Sequence, residues 1–136
     1  MNLFHHIGIF VKNLEYGKIE ISKFIEISST SDEIIDEEIG VKIIFVKDNQ
    51  GILYELVAPF GDNSPVKGAL SRGKDLLNHI AYKTNTFDLE IEKLRNAGFV
   101  PLGPAKKAKA FEGSRVIFFL STLGFIIELV EDNGKL

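Results

Sequence analysis

The sequence predicts an α+β protein built from two tandem βαβββ modules, and three observations support this fold class. The chain repeats itself at a shift of 73 residues (79 − 6), so that LFHHIGIF near the start returns as LLNHIAYK around His79. Without a gap, the same register matches GVKIIFV with GSRVIFF and then GILYELV with GFIIELV. A helical pattern of about a dozen residues follows the first strand of each copy. Self-similarity of this kind indicates a duplicated structural unit.

The length of the chain fits one domain made of two modules that share a core. Its 136 residues are 45% hydrophobic, and each half alone would bury little surface. We place the first module at residues 1–58, a linker at 59–74 and the second module at 75–136. The linker region is rich in Pro, Gly, Asp and Asn, which indicates a turn-rich connection rather than another core element.

The first strand of each module carries a histidine beside a small residue. Phe4 to Val11 has the β-branched and aromatic content of a strand, and its alternation puts His6 and Gly8 on one face. In the second copy, His79 and Ala81 take these places. The small residue leaves room on the face that the imidazole occupies. His5 then lies on the opposite face, where we expect a contact with solvent or a helix.

A helix follows each of these strands. Asn13 and Thr86 are the expected N-caps, and the helical patterns run from Leu14 to Phe24 and from Phe87 to Ala97. In the second helix the apolar residues fall on one stripe, as expected for a helix that packs on a sheet: Phe87, Ile91 and Leu94.

Composition excludes several classes of function. A net charge of −3 and a pI near 5.6 argue against nucleic acid as a partner, which normally requires a basic face. The absence of cysteine excludes disulfides and thiolate metal sites, and is in keeping with the cytoplasm. No segment has the pattern of a signal peptide or the length of a membrane span. We therefore expect a soluble cytoplasmic protein without a membrane partner.

The chemistry predicted from the sequence centres on two glutamates in apolar strands, Glu55 in ILYELV and Glu128 in FIIELV. A bare buried carboxylate costs several kcal/mol unless it is paired or binds a metal, although a strand glutamate can also face water. Each follows its module's histidine by 49 residues (55 − 6 and 128 − 79). If the concave faces of the modules pack together, His6, Glu55, His79 and Glu128 converge. Two imidazoles and two carboxylates suit one divalent ion such as Ni, Co, Mn or Zn.

Four segments of the chain carry a family resemblance: HHIGIFVKNLE, YELVAPFGDNSPV, NHIAY and FIIELVE. They resemble the vicinal oxygen chelate superfamily, which includes glyoxalase I, methylmalonyl-CoA epimerase, extradiol dioxygenases and bleomycin-resistance proteins. The resemblance implies that the modules form one curved mixed sheet around a central cavity with a divalent metal. It implies the ligand set His6, Glu55, His79 and Glu128, and a homodimer.

Within the superfamily, ELVAPFGDNSPV resembles the ELLEPLGxDSPI stretch of methylmalonyl-CoA epimerases, and GVKIIFV after Glu37 and Glu38 resembles their E-x-GV segment. This resemblance implies a metal-dependent lyase or isomerase that moves a proton next to the carbonyl of a small acyl or carbonyl substrate. Two alternatives stay open. One is an enzyme of the glyoxalase I type, since its ligands are also two histidines and two glutamates, and the other is a non-catalytic binding or resistance protein.

The resemblance also suggests the residue that moves the proton. The epimerases use a carboxylate on the E-x-GV segment as a base, and the matching residue here is Glu38, with Glu128 as a possible second base. Glu38 also belongs to an acidic run that could simply be solvated. A lysine group at Lys106, Lys107 and Lys109 could steer an anionic substrate or be an ordinary surface loop.

Overall fold

The computed structural model describes residues 1–70, 76–134 and 136, and the chain divides there into two units. The N-terminal unit is His6–Asn78, and the C-terminal unit combines Met1–His5 with His79–Leu136. Each unit follows the predicted βαβββ order with one additional short strand. The predicted α+β class is therefore confirmed.

The N-terminal unit is a helix-bearing mixed sheet. Its strands lie in the order β2-β4-β5-β1, with β3 also on β4, and β1 and β5 run parallel while the other pairs are antiparallel. The first three residues of β1 belong to the C-terminal unit. The elements are β1 (Leu3–Phe10), α1 (Leu14–Ile21), β2 (Ile27–Thr30), β3 (Ile34–Asp36), β4 (Val41–Asp48), β5 (Leu53–Pro59) and α2 (Pro65–Leu70).

The C-terminal unit repeats this arrangement. Its strands lie in the order β6-β10-β9-β7, with β8 also on β9, and here β6 and β10 are the parallel pair. The elements are β6 (Leu76–Thr84), α3 (Phe87–Asn96), β7 (Val100–Pro101), β8 (Lys106–Lys107), a 3-10 helix (Lys109–Phe111), β9 (Arg115–Leu120) and β10 (Ile126–Glu131).

The predicted helix starts are correct, and the ends differ slightly. The Asn13 side chain accepts a hydrogen bond from the Tyr16 N–H at 2.7 Å, which caps α1, whereas the Thr86 side chain makes no such cap. Helix α1 ends at Ile21, before the predicted Phe24. Ser22 explains this, because its hydroxyl donates to the Ile19 carbonyl at 2.7 Å and such local bonds compete with a continuing helix.

Each helix packs its apolar face on one face of its unit's strands. In the N-terminal unit, Val11, Leu14, Ile21, Ile44, Val46, Leu56 and Ala58 form this core. Helix α1 approaches closely at Gly17, where an added Cβ would lie 2.8 Å from Cγ1 of Val11. In the C-terminal unit, the predicted stripe of α3 packs on Ile117, Phe119 and Leu129. Both helix layers thus leave the opposite strand faces available for a site.

The expectation of a linker without a core element was wrong for part of it. Residues Pro65–Leu70 form α2, and Val66 is only 1% exposed. The Ser64 hydroxyl accepts a hydrogen bond from the Val66 N–H at 3.3 Å, and Pro65 suits the first helical position. Because Pro65 and Gly68 are common in turns, the sequence pattern predicted a turn here instead of a short helix. Linker residues 71–74, and residue 75 at the start of the second module, lie outside the described residues, and the module boundaries stay a prediction.

A membrane-spanning segment was not expected from the sequence. In the part of the chain that the structure describes, no helix combines the length and apolarity that crossing a bilayer requires.

Candidate metal centre

The N-terminal unit buries one histidine with one glutamate. His6 is 0% exposed and Glu55 is 4% exposed, and His6 Nε2 lies 3.4 Å from Glu55 Oε1. The parallel pairing of β1 and β5 places Gly8 opposite Glu55, so the position beside the carboxylate carries no side chain. The sequence argument that glycine leaves room on the histidine face therefore agrees with the register.

The C-terminal unit contains the same pair. His79 and Glu128 are each 3% exposed, and His79 Nε2 lies 3.2 Å from Glu128 Oε1. Here the parallel partner of Glu128 is Ala81, the small residue predicted from the repeat. The duplication seen in the sequence is thus preserved in the burial and geometry of both pairs.

An aromatic ring supports each imidazole, and sequence analysis missed this role. Phe45 is the cross-strand partner of Glu55, and its ring lies edge-on to His6 with centroids 6.0 Å apart. Phe118 is the partner of Glu128, and its ring lies edge-on to His79 at 5.2 Å. The signal was available, because the 73-residue shift matches Phe45 with Phe118 (45 + 73). These rings restrict the imidazole orientations.

The donor chemistry of each pair fits a metal ion. Each of the four buried side chains offers one possible ligand atom. Two atoms that each lie about 2.1 Å from one cation are roughly 3.0 Å apart at a right angle and roughly 3.4 Å apart at the tetrahedral angle. The separations of 3.4 and 3.2 Å within the pairs match the spacing of neighbouring ligands. A cation would also offset the desolvation of each buried carboxylate.

His5 does not belong to this set. Strand alternation turns it away from the face of its neighbour His6, and its ring lies against Phe111 with centroids 5.6 Å apart. Phe111 ends the 3-10 helix, so the expected helix contact is confirmed.

Glu38 is exposed and lies in a turn at residues 37–40. Buried Asp36 holds this turn, since its carboxylate accepts from the Ile39 N–H at 3.2 Å and its carbonyl accepts from the Gly40 N–H at 2.8 Å. Both the side chain and the backbone of Asp36 therefore hold the turn, even though Glu38 is exposed. Its role as a base stays a prediction.

The predicted lysine group lies in the C-terminal unit. Lys106 and Lys107 form β8, Lys109 begins the 3-10 helix, and all three residues are exposed. This exposure fits both open interpretations, steering of an anion and an ordinary surface.

A comparison with protein families identifies the relatives of this arrangement. The sequence model of the Glyoxalase/Bleomycin resistance protein/Dioxygenase superfamily matches residues 5–118, which is most of the chain. The chain belongs to this superfamily. The resemblance seen in its strand motifs is thereby confirmed. A comparison of the sequence with curated proteins found no match.

Solved structures share the fold of this superfamily member at low sequence identity. Methylmalonyl-CoA epimerase from Mycobacterium tuberculosis is 22% identical, with a TM-score of 0.78 over 94% of this chain and 86% of its own. A hypothetical protein from Bacillus halodurans is 21% identical, with a TM-score of 0.78 over 99% and 97% of the two chains. A variant of Streptomyces coelicolor methylmalonyl-CoA epimerase, in complex with 2-nitronate-propionyl-CoA, is 23% identical, with a TM-score of 0.76 over 99% and 97%. At these identities the likeness establishes the fold.

Proposed function

We propose that this chain is a divalent-metal-dependent isomerase or lyase that moves a proton on the carbon next to a carbonyl or thioester. His6, Glu55, His79 and Glu128 together bind one Ni, Co, Mn or Zn ion in this proposal. The observation that carries it is the burial of one His–Glu pair in each unit, with Nε2–Oε1 separations of 3.4 and 3.2 Å. Two buried carboxylates are costly without a compensating cation.

The roles of the residues follow from their chemistry. When bound, a divalent ion polarises a substrate carbonyl and makes the neighbouring C–H bond more acidic. The carboxylate of Glu38 takes the proton, the electron pair of the broken C–H bond forms a double bond to the carbonyl carbon, and the π pair of the C=O bond moves onto the carbonyl oxygen. Return of a proton to the opposite side of the carbon completes an epimerisation. Glu128 is the second candidate base if it leaves the metal during turnover, and the burial of the four side chains limits water access to them.

The proposed substrate class is a small acyl thioester of the methylmalonyl-CoA kind. Two observations favour it over other superfamily chemistries. Solved methylmalonyl-CoA epimerases share the fold over nearly the whole chain. The segment from Glu55 to Val66 resembles the corresponding epimerase stretch.

The glyoxalase I reaction is the second candidate, and the ligand set favours it. Two histidines and two glutamates are the combination that the resemblance to glyoxalase I implies, and all four are buried here. This reaction also moves a proton next to a carbonyl, so the same residues would act. A non-catalytic binding protein is the remaining alternative. The ligand set favours an enzyme over it, because sequestering relatives often lack one or more metal ligands and this chain has all four candidates.

A deuterium-exchange assay tests the proposal. The protein is purified without chelator, its metal content is measured, and methylmalonyl-CoA is incubated with it in D₂O while mass spectrometry follows exchange at the carbon between the two carbonyl groups. Methylglyoxal with glutathione is assayed in parallel. We expect metal-dependent exchange that is lost in Glu128→Gln, with Glu92→Gln on the exposed face of α3 as the control. Metal binding without turnover of either substrate would indicate the binding protein, and turnover that persists in Glu128→Gln would overturn the mechanism.

A further inference from the structure

A cavity of about 340 Å³ lies on the helix face of the N-terminal unit, where the start of α1 meets β4 and β5. Its volume is at the lower end of the roughly 300–1,000 Å³ of ligand pockets. The charged residues of its wall are three lysines and two glutamates: Lys12, Lys18, Lys42, Glu15 and Glu33. Ala58 in the wall and Glu55 are three residues apart on β5, so they face opposite sides of the sheet. The cavity is therefore separate from the His–Glu pair of this unit.

The internal repeat shows what fills the matching place in the C-terminal unit. Four residues of the cavity wall have counterparts at the 73-residue shift that contact one another: Lys42 matches Arg115, Ala58 matches Glu131, Glu15 matches Asp88 and Leu14 matches Phe87. The guanidinium of Arg115 donates to Glu131 at 3.1 and 2.7 Å and to Asp88 at 3.0 and 3.1 Å. In this unit, side-chain carboxylates thus surround the cation.

The residues that differ most between the copies are direct cross-strand neighbours of the cation. Ala58 lies opposite Lys42 in the antiparallel pairing of β4 and β5. The antiparallel register of β9 and β10, continued by one residue, places Glu131 opposite Arg115. The first copy therefore keeps a cation at this position but has a methyl group where the second copy has a carboxylate. This exchange leaves room beside Lys42.

The charges around the cavity favour an anion. Lys42 Nζ lies 3.7 Å from Glu33 Oε1, which is longer than a hydrogen bond, and the two side chains are 38% and 47% exposed. Such an exposed pair contributes little. Together, the three lysines and two glutamates of the wall leave a net charge of +1 (3 − 2). A cleft with this balance attracts a single negative charge.

The second copy also indicates the chemical class of the anion. The group that accompanies the cation there is the carboxylate of Glu131. The cavity wall includes the apolar side chains of Leu14, Ile44 and Pro59, which can contact a carbon skeleton but not a hydrated inorganic ion. A carboxylate on a small organic molecule meets both conditions.

We propose that this cavity is a second binding site, which takes a small organic carboxylate with its charged group beside Lys42. The ligand carboxylate takes the place that Glu131 occupies in the C-terminal unit, and Ala58 provides the space. This inference goes beyond the proposed function, because the site lies on the other strand face and requires neither a metal ion nor turnover.

Nuclear magnetic resonance of the full chain, labelled with ¹⁵N, tests the proposal. Propionate is the probe, and inorganic phosphate forms the second arm. We expect propionate to cause saturable shifts at the amides of Lys42 and Ala58, with a higher Kd for phosphate. Lys42→Met should raise the propionate Kd about fivefold, the upper end for an exposed ion pair. Lys47→Met should match the parent, since Lys47 is an exposed lysine of the same strand but lies on the other face.

A second variant supplies the carboxylate from within the chain. Ala58→Glu recreates opposite Lys42 the pairing that Glu131 makes with Arg115, so its side chain should exclude propionate and abolish the shift at Lys42. The same spectra report whether this variant is folded. Lys42→Met changes a partly exposed side chain and provides the deciding comparison if Ala58→Glu does not fold.

The outcomes that would overturn the proposal are distinct from a failure of the proposed function. They are the absence of shifts at the cavity, an equal propionate Kd in Lys42→Met and the parent, and a shift at Lys42 that persists in folded Ala58→Glu. Phosphate that binds as tightly as propionate would also overturn it, since the site would then accept any small anion. A parent that turns over no substrate would contradict the proposed function alone, because these shifts do not depend on turnover.

Discussion

At the scale of single residues, the chain places the two carboxylates that are costly to bury at matched positions of the repeat. Glu55 and Glu128 are 4% and 3% exposed, and each lies opposite a residue with little or no side chain. Alternation along a strand is a local property, so the sequence could assign these glutamates to the histidine face. Their distances from the histidines depend instead on which strands pair, and that requires the folded structure.

The acidic turn provides a prediction at this scale. If Glu38 is the base, Glu38→Gln should lower kcat by roughly 10²-fold or more with little change in metal content, because an amide cannot accept the proton. Steady-state kinetics with methylmalonyl-CoA, together with metal analysis, measures this. Glu37→Gln is the matched control, since Glu37 is exposed in the same turn. Equal activity of both variants would assign Glu38 to the solvated acidic run.

At the scale of elements, the turn at residues 37–40 depends on Gly40. Gly40 has φ of +82°, and an added Cβ would lie 3.2 Å from both the Phe60 carbonyl oxygen and Ser64 Cα. The Gly40 carbonyl also accepts a hydrogen bond from the Phe60 N–H at 2.9 Å. The turn is thus fixed between β3 and the segment before α2.

A comparison with Gly51 separates two causes of destabilisation by an added Cβ, namely crowding by neighbouring atoms and backbone strain. Its φ is +84°, but nothing lies within 4 Å of an added Cβ. Gly51→Ala should lower the free energy of unfolding by about 1–2 kcal/mol from backbone strain alone. Gly40→Ala should lower the free energy of unfolding by more than Gly51→Ala does. It should also lower kcat if the turn carries the base. Urea unfolding measured for both variants checks this, and equal costs would show that the contacts with Phe60 and Ser64 are unimportant.

A second element-scale feature joins α3, β9 and β10 through Arg115. Its guanidinium donates to both carboxylate oxygens of Glu131 at 3.1 and 2.7 Å and to both of Asp88 at 3.0 and 3.1 Å. It also lies 4.7 Å from the centroid of the Phe87 ring. These hydrogen bonds to Arg115 lower the pKa of Glu131 and of Asp88 below their ordinary values.

This network should make stability depend on pH. Because the folded pKa of Glu131 is lowered, its contribution is present above the ordinary value of 4.5 and is lost as the pH falls through the lowered pKa. The difference in Tm between the parent and Arg115→Gln should therefore be largest near neutral pH and shrink in acid. Thermal unfolding followed across pH at low salt measures it. Arg95→Gln, on the exposed surface of α3, should show no such trend, and a constant difference for Arg115→Gln would contradict the prediction.

At the scale of the whole molecule, the superfamily fold and the proposed centre connect metal binding to stability. Ligands that bind only the folded chain stabilise it, by about 2.7 kcal/mol at 100 times the Kd. Adding Ni, Co, Mn or Zn to protein freed of metal should therefore raise its Tm. The four proposed ligands come from strands far apart in the sequence, so they should form the centre only when the chain is folded.

The control for this prediction replaces two of the proposed ligands by residues of nearly the same size. The double variant Glu55→Gln and Glu128→Gln should lose the metal-dependent rise in Tm, while Glu37→Gln should retain it. Differential scanning calorimetry with and without each ion checks both. A rise that persists in the double variant would show that the ions bind elsewhere.

The sequence by itself determined the features that depend on local periodicity and on the internal repeat. These include the α+β class, the capped start of α1, the apolar stripe of α3 and the face that each histidine occupies. The repeat was decisive, because one copy checks the other: Ala81 stands where Gly8 stands, and Phe118 where Phe45 stands.

Only the tertiary structure decided which distant segments meet. It showed the 3.4 and 3.2 Å separations of the His–Glu pairs, the ring contact of His5 with Phe111, the Arg115 network and helix α2. Each depends on packing between segments far apart in the chain or on burial that overrides weak propensity, as for Val66. Local sequence sets the direction of a side chain, whereas its partners are set by the free energy of the whole fold.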